Sequence, residues 1–191
     1  MGITSETIKA AVATYFRYQR QCPIIAFEVD SQVHSWMGEP ADILVVNNDR
    51  HLLEVEVKIS LTDLRHDAKK RKHESFRLRH TPTTYFYFAV PREIANKAKP
   101  ICDDLFPYAG IIGTDGGYDV EIYRVPKAMC LKKLDYTNIF RLIRGQSGTV
   151  CRLAGKVEDL LATEKKLRKE LQHYKDMERL RKGSDIAGAL R

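Results

Sequence analysis

Apolar residues recur along the chain with two different periods, which separate predicted helices from predicted strands. Ile8, Val12, Tyr15 and Phe16 fall at helical spacing, so we expect a first helix that Thr4 or Ser5 caps and that ends near Gln19. Residues 24–29 alternate as in a strand, and a polar loop is expected over residues 36–40. The chain should therefore open with a helix followed by a strand.

The most regular strand pattern surrounds the turn-forming residues 47–50. Residues 41–46 and 51–59 flank this turn and are rich in aliphatic side chains, which predicts a β-hairpin. If the strands pair about Asn48 and Asp49, the numbers of paired residues add up to about 97 or 98. This pairing places Asp42 beside Glu56.

Helices and strands alternate after the hairpin. Ser60 and Asp63 form a capping pattern at the start of a polar helix that should run to about Arg79. A strand over 84–90, a short helix over 93–105 that is broken at Pro100, and two short strands over 110–112 and 118–125 follow. These elements predict one domain over residues 1–150.

The last 41 residues, 151–191, have a different character and predict a long amphipathic helix that begins near Leu153 and ends in a frayed tail from Gly183. Its apolar residues, at steps of three and four, are Leu153, Val157, Leu160, Leu167, Leu171 and Tyr174. Glu164 and Glu178 fall on the same stripe. Two outcomes are open: the helix packs back on its own domain, or it forms a coiled coil with a second copy.

Composition limits the class of protein. With 191 residues, 43% of them hydrophobic, the chain can bury one sizeable core. Its 32 basic and 25 acidic side chains give a formal charge of +7, which favours a polyanionic partner. The four cysteines are scattered, as is typical of reduced thiols. No long apolar run is present, and we expect no leader because no charged and then apolar segment opens the sequence. We expect a cytoplasmic protein, associated with the nucleoid if bacterial or else of viral or mobile-element origin.

The hairpin carries the candidate chemistry. Side chains alternate along a strand, so Glu54, Glu56 and Lys58 share one face while the apolar residues between them share the other. Asp42 and Glu56 on neighbouring strands would repel each other without a cation, and their hard oxygen atoms suit Mg²⁺ or Mn²⁺. The Val57 carbonyl could add a ligand. The bland alternative is a sheet edge with alternating surface charges.

The segment after the hairpin is strongly basic and predicts a surface that contacts phosphates. The residues concerned are Arg65, Lys69, Lys70, Arg71, Lys72, Arg77 and Arg79. His66, His73 and His80 are seven residues apart, too far for shared metal ligation, and are expected on the surface or at phosphates. DNA is the expected partner, and a solvated helix face is the alternative.

The string P-A-D-I-L-V-V, followed by E-V-E-V-K-I-S, resembles the PD-(D/E)xK nuclease superfamily, with its restriction-endonuclease-like fold. E-V-K-I-S-L-T-D-L-R-H-D-A-K-K and the later Y-F-Y-F-A-V-P are similar to the MmcB-type DNA-repair branch, and the resemblance covers about residues 24–127. It implies an α/β fold with a mixed central sheet flanked by helices, to which the long C-terminal helix is added. It also implies a Mg²⁺-dependent deoxyribonuclease.

The resemblance also implies roles for single residues. Asp42 and Glu56 would bind the metal, Lys58 would be catalytic, and Ser60 and Asp63 would support them. Further acids that could join the site are Glu6, Glu28 and Glu54. Whether Glu54 or Glu56 dominates ligation stays open. Two other functions remain: a non-catalytic nucleic-acid-binding module of the same fold, and a scaffold whose C-terminal helix is the functional part.

Overall fold

The computed structural model describes residues 2–29 and 40–189, with side chains described over 2–28 and 40–178. The loop expected over 36–40 lies outside these residues except for Pro40.

Six strands form one mixed sheet in their order along the chain. They are β1 (Ile24–Val29), β2 (Ala41–Val46), β3 (Leu52–Val57), β4 (Thr83–Pro91), β5 (Gly110–Thr114) and β6 (Val120–Arg124). The strands β3, β4 and β5 are parallel, and each remaining neighbouring pair is antiparallel. The prediction of a mixed α/β sheet flanked by helices is confirmed at this level.

Helices precede, interrupt and follow the sheet. They are α1 (Ser5–Thr14), continued by a π-helical turn (Tyr15–Gln19), α2 (Leu61–His66), a 3₁₀ turn (Asp67–Lys69), α3 (Lys72–Arg77), α4 (Arg92–Leu105) and α5 (Tyr136–Ala189). Thr4 caps α1 by accepting a hydrogen bond from the Thr7 amide at 3.2 Å, as one of the two expected caps. The predicted first helix is confirmed to Gln19.

The hairpin has the predicted register. Ile43 lies opposite Val55 and Leu44 opposite Glu54, so the numbers of paired residues add up to 98. Continuing this ladder by one residue puts Asp42 opposite Glu56 at the open end of the hairpin, away from its turn.

Both faces of the sheet are covered. On one face, Ile8, Val12 and Phe16 of α1 and its π-helical turn pack against Val55 and neighbouring aliphatic side chains. On the other, α2, α3 and α4 cover the aromatic residues of β4. Glu54, Glu56 and Lys58 lie on this second face and are only 0%, 2% and 6% exposed. These three charges, expected on the face opposite the apolar residues, are therefore buried and not exposed to solvent.

The predicted basic helix over residues 60–79 is also broken into three short pieces. Asp67, Lys72 and His73 turn inward from the joints between these pieces and are buried. A single straight helix would place such polar residues around its whole circumference, whereas the breaks let them converge on one face.

Two helix boundaries also differ from the prediction. The helix α4 continues through Pro100. Proline lacks the N–H that would bond to the carbonyl of Asn96 one turn earlier, and Asn96 is exposed to solvent. The helix α5 begins at Tyr136, where Asp135 accepts a hydrogen bond from the Asn138 amide at 2.8 Å. The glycines at 145 and 148 are tolerated inside the helix.

The chain divides into two compact units between Gln146 and Ser147. The first holds the sheet and the start of α5, where Leu142 is fully buried beside Leu44 and Leu52. The second consists of the rest of α5. Over the described residues, no helix has both the length and the apolar character that a membrane span needs.

Candidate functional site

Glu56 lies at the centre of a group of lysines. Its Oε2 atom is 2.7 Å from Lys70 Nζ and 3.5 Å from Lys58 Nζ, and Lys72 contacts its Oε1 atom. Burial would raise the pKa of this carboxyl, but Lys72 and Lys70 outweigh burial and hold the pKa below its ordinary value. Glu56 is therefore an ionised carboxylate that holds cations.

Glu54 lies two residues earlier on the same face and deeper in the protein. Lys72 Nζ is 2.8 Å from its Oε1 atom, and the Thr83 hydroxyl donates to Oε2 at 3.4 Å. Here burial dominates and raises the pKa of the carboxyl, in spite of the opposing effect of Lys72. Of the two glutamates, Glu56 is nearer to the open end of the hairpin and holds more ammonium groups.

Asp67 connects Lys58 to a buried histidine. Its Oδ1 atom is 2.7 Å from Lys58 Nζ and 2.9 Å from Lys70 Nζ, and its Oδ2 atom is 2.6 Å from His73 Nε2. Burial opposes ionisation, but the bonds from His73, Lys58 and Lys70 hold the pKa of Asp67 well below its usual range. His73 then donates to Asp67 and accepts at Nδ1 from the Tyr108 hydroxyl, at 2.6 Å.

We call these six ionisable side chains the buried charge cluster: Glu54, Glu56, Asp67, Lys58, Lys70 and Lys72. Three carboxylates and three ammonium groups balance one another, which is the condition for keeping so many charges away from water. Most of these side chains are nearly inaccessible, but Lys70 is 36% exposed. Lys70 is therefore the cation of the cluster that solvent reaches most easily.

Asp42 has different partners. Its Oδ2 atom accepts a hydrogen bond from the Val57 amide at 2.8 Å, which fixes the carboxylate against the end of β3. Its Oδ1 atom is 3.5 Å from Lys9 Nζ, which also lies 3.2 Å from Glu6 and 2.9 Å from Glu28. Two of the three acids proposed as additional ligands, Glu6 and Glu28, thus gather with Asp42 around one lysine of α1.

The two supporting residues lie at the start of α2. The Ser60 hydroxyl accepts from the Asp63 amide at 3.1 Å and caps the helix, and the Asp63 carboxylate is 4.0 Å from Lys58 Nζ. Ser60 therefore holds the start of α2, while Asp63 lies at the outer side of Lys58.

The structure separates the predicted phosphate-contacting residues into two groups. Arg65, Lys69, Arg71, Arg77 and Arg79 are exposed. Lys70 and Lys72 instead point into the buried charge cluster, and Lys72 is only 2% exposed, so a surface role for Lys72 was wrong. The expectation for His73 was wrong as well, because its side chain is fully buried between Asp67 and Tyr108.

Sequence reasoning did not single out Lys9, Asp67 or Tyr108 for the site. A signal was present for Asp67, since an acidic residue in a strongly basic segment needs a reason to be there. Leu64 and Phe76, apolar residues on either side of it, mark the buried face of this segment. No comparable signal marked Tyr108.

The fit of a metal can be judged from the charges present. Over residues 2–28 and 40–178, no three or more histidine, cysteine, aspartate or glutamate side chains converge so as to hold a metal ion. The ligand set expected from the sequence is smaller, with two carboxylates, from Asp42 and Glu56, and the Val57 carbonyl. Both carboxylates already attract ammonium groups, and the ammonium group of the partly exposed Lys70 lies 2.7 Å from Glu56.

A separate cavity of about 580 Å³ lies on the α1 side of the sheet, near the hairpin turn. Its lining includes Tyr15, Tyr85, Tyr87 and Arg20, and none of the site residues described above. The candidate chemistry is therefore at the other end of the hairpin from this cavity.

Comparison with known proteins gives little beyond the fold. No family model matches the chain, and no curated protein matches it. A solved structure, the SPO1766 protein of unknown function from Silicibacter pomeroyi, is similar with a TM-score of 0.56 and 19% sequence identity. The similarity covers 83% of this chain and 94% of that protein. At this identity the likeness shows a shared fold.

Proposed function

We propose that this protein is a metal-dependent nuclease that hydrolyses phosphodiester bonds, with DNA as its substrate. The observation that carries the proposal is the arrangement at the open end of the hairpin. Asp42 falls opposite Glu56 when the β2–β3 ladder is continued by one residue, Lys58 follows on the same face as Glu56, and both carboxylates attract cations. We further propose a place in the PD-(D/E)xK superfamily, with a restriction-endonuclease-like fold.

Asp42 and Glu56, with the Val57 carbonyl, would hold Mg²⁺ or Mn²⁺. Such an ion polarises phosphate oxygens and lowers the pKa of a bound water. The chain's own residues prepare the site: the Val57 amide fixes Asp42, and Asp67 holds Lys58 at 2.7 Å. Lys58 would then orient the attacking water or balance the charge that develops on the phosphate. Lys70, half-exposed, is the lysine that would have to leave Glu56.

The test is cleavage of linear, nicked, branched and single-stranded DNA in Mg²⁺, Mn²⁺ or a chelator. We expect metal-dependent cutting that Glu56→Gln and Asp42→Asn each reduce by about 100-fold or more. Glu74→Gln is the matched control, because it removes the same charge from an exposed position of α3 outside the buried charge cluster. Cleavage in the chelator, or full activity of Glu56→Gln, would contradict the proposal.

One observation favours a second candidate, a nucleic-acid-binding module without catalysis. The buried charge cluster is balanced by its own lysines, so it needs no metal for stability. Exposed basic residues such as Arg65, Lys69 and Arg77 would provide phosphate contacts. Salt-sensitive DNA binding that persists in chelator, with no product in any metal, would select this function over the first.

A second copy of the chain is the other proposed partner. Two strands of a duplex present two bonds to cut, and one site acts on one bond, so a pair of chains suits a nuclease of this kind. The exposed apolar stripe of α5 is the element that we propose for this pairing.

A further inference from the structure

The second unit of the chain presents a continuous apolar stripe to solvent. Its members are Val150, Leu153, Val157, Leu160, Leu167, Leu171 and Tyr174, and each is between 50% and 72% exposed. Helices in proteins are stabilised mainly by packing of an apolar face rather than by intrinsic helix preference. A stripe of this length on one helix therefore calls for a partner.

The spacing of the stripe selects the kind of partner. The seven residues follow alternating steps of three and four over 25 residues, with Glu164 occupying the one remaining position. This is the heptad pattern of a coiled coil, in which each apolar side chain enters a gap on a facing helix. A second copy carries the same spacing, so the stripe is complementary to itself.

Charge and size then select the direction of pairing. In a parallel, in-register pair, Glu164 would meet Glu164 of the other copy in the interior, and the two Tyr174 rings would share one layer. In an antiparallel pair with Leu160 opposite Leu171, Glu164 faces Leu167 and the small Val157 faces the large Tyr174. This arrangement avoids contact between like charges and matches large side chains with small ones.

Glu164 also has a partner on its own helix. Arg168 Nε lies 3.0 Å from Glu164 Oε1, one turn further along. Arg168 follows the stripe position of Leu167, so it draws the carboxylate toward the edge of the stripe and away from its centre. Glu164 can therefore face Leu167 of the other copy, but it cannot face a second Glu164.

We infer that two copies of this chain associate through an antiparallel coiled coil of residues 157–174, with Leu160 of each copy facing Leu171 of the other. This coiled coil would be the pairing of two chains named with the proposed function. Only its biological purpose rests on that function. The assembly itself does not require that the protein cut DNA.

The test is disulfide trapping in full-length protein whose exposed Cys151 and half-buried Cys130 are replaced by serine. We expect Leu160→Cys and Leu171→Cys to form a cross-linked dimer when the two variants are mixed and oxidised, and neither to do so alone. Cross-linking of each variant by itself would indicate a parallel pair and overturn the inference. Lys166→Cys, on the opposite side of the helix, is the control and should not cross-link.

Sedimentation analysis checks the same assembly without oxidation. The unmodified chain should show twice the 21.9 kDa mass of one copy. Leu160→Arg should weaken association by about 100-fold or more, while Lys166→Arg leaves it unchanged. A monomeric mass for the unmodified chain at the highest concentration tested would overturn the inference. An unmodified chain that is monomeric and cleaves DNA would overturn the inference while leaving the nuclease proposal intact.

Discussion

Replacing Lys72 with methionine tests whether the buried charge cluster is held together as described. Methionine has similar length but no charge, so the change removes the ammonium group and little packing. Lys72 Nζ is 2.8 Å from Glu54 and also contacts Glu56, and its side chain is 2% exposed. Breaking a buried ion pair on one side costs about 3–5 kcal/mol. We expect Lys72→Met to lower the free energy of unfolding by that amount near neutral pH.

The loss should shrink as the solution becomes mildly acidic. Burial raises the pKa of Glu54, and Lys72 is the main influence that opposes the rise. Without Lys72 this pKa climbs further, so the folded variant takes up a proton on Glu54 while the unfolded chain, with an ordinary pKa, does not. Proton binding to the folded state favours folding as the pH falls toward that ordinary value. A protonated Glu54 no longer needs the ammonium group.

Urea unfolding, followed by circular dichroism near neutral pH and at about pH 5, measures both effects. The matched control is Lys70→Met, since Lys70 is 36% exposed and Glu56 keeps Lys72 and Lys58 in its absence. We expect this control to cost about 1 kcal/mol. Two results would contradict this account of the cluster. One is a loss in the free energy of unfolding for Lys72→Met that is no larger than for the control, and the other is the same loss at both pH values.

Two further predictions concern packing and titration. Gly110→Ala should destabilise the protein by about 1–3 kcal/mol, because the new Cβ would lie 2.6 Å from the Tyr87 ring. The new Cβ of Gly148→Ala meets nothing within 4 Å, so this change should stabilise α5 by up to about 1 kcal/mol. Urea unfolding measures the sign of both changes. Burial lowers the pKa of His73 in spite of Asp67, so this residue's contribution to stability should be lost as the pH falls below the ordinary value of 6.5. An NMR titration in which the His73 ring becomes protonated at or above that pH would refute this.

The hairpin is the part of the fold that the sequence specified most closely. Its turn residues fix where the chain reverses, and the period of two assigns each side chain to a face. Those two facts were enough to predict the observed register, which places Asp42 opposite Glu56 when the ladder is continued by one residue. The first helix was predictable for a similar reason, since its apolar residues and cap are all local in sequence.

The burial of the charged face was not predicted, although a signal for it existed. Residues 84–90 are apolar at nearly every position, which is typical of a strand that is covered on both sides. Since β4 pairs with β3, a layer that covers Phe86 and Phe88 must also cover Glu54 and Glu56 beside them. The pattern of β3 alone, with alternating charges, favours the opposite conclusion.

The sequence by itself determined the hairpin, its register, the order of strands and helices, and the amphipathic stripe of α5, because each depends on local periodicity and turn chemistry. Only the tertiary structure decided that Lys70 and Lys72 turn inward to Glu56, that Asp67 joins Lys58 to His73, and that Lys9 gathers Glu6, Glu28 and Asp42. A lysine on the surface and a lysine in a buried ion pair cannot be told apart in the sequence. What distinguishes them is the carboxylate that distant parts of the chain bring within about 3 Å, and the loss of water around both.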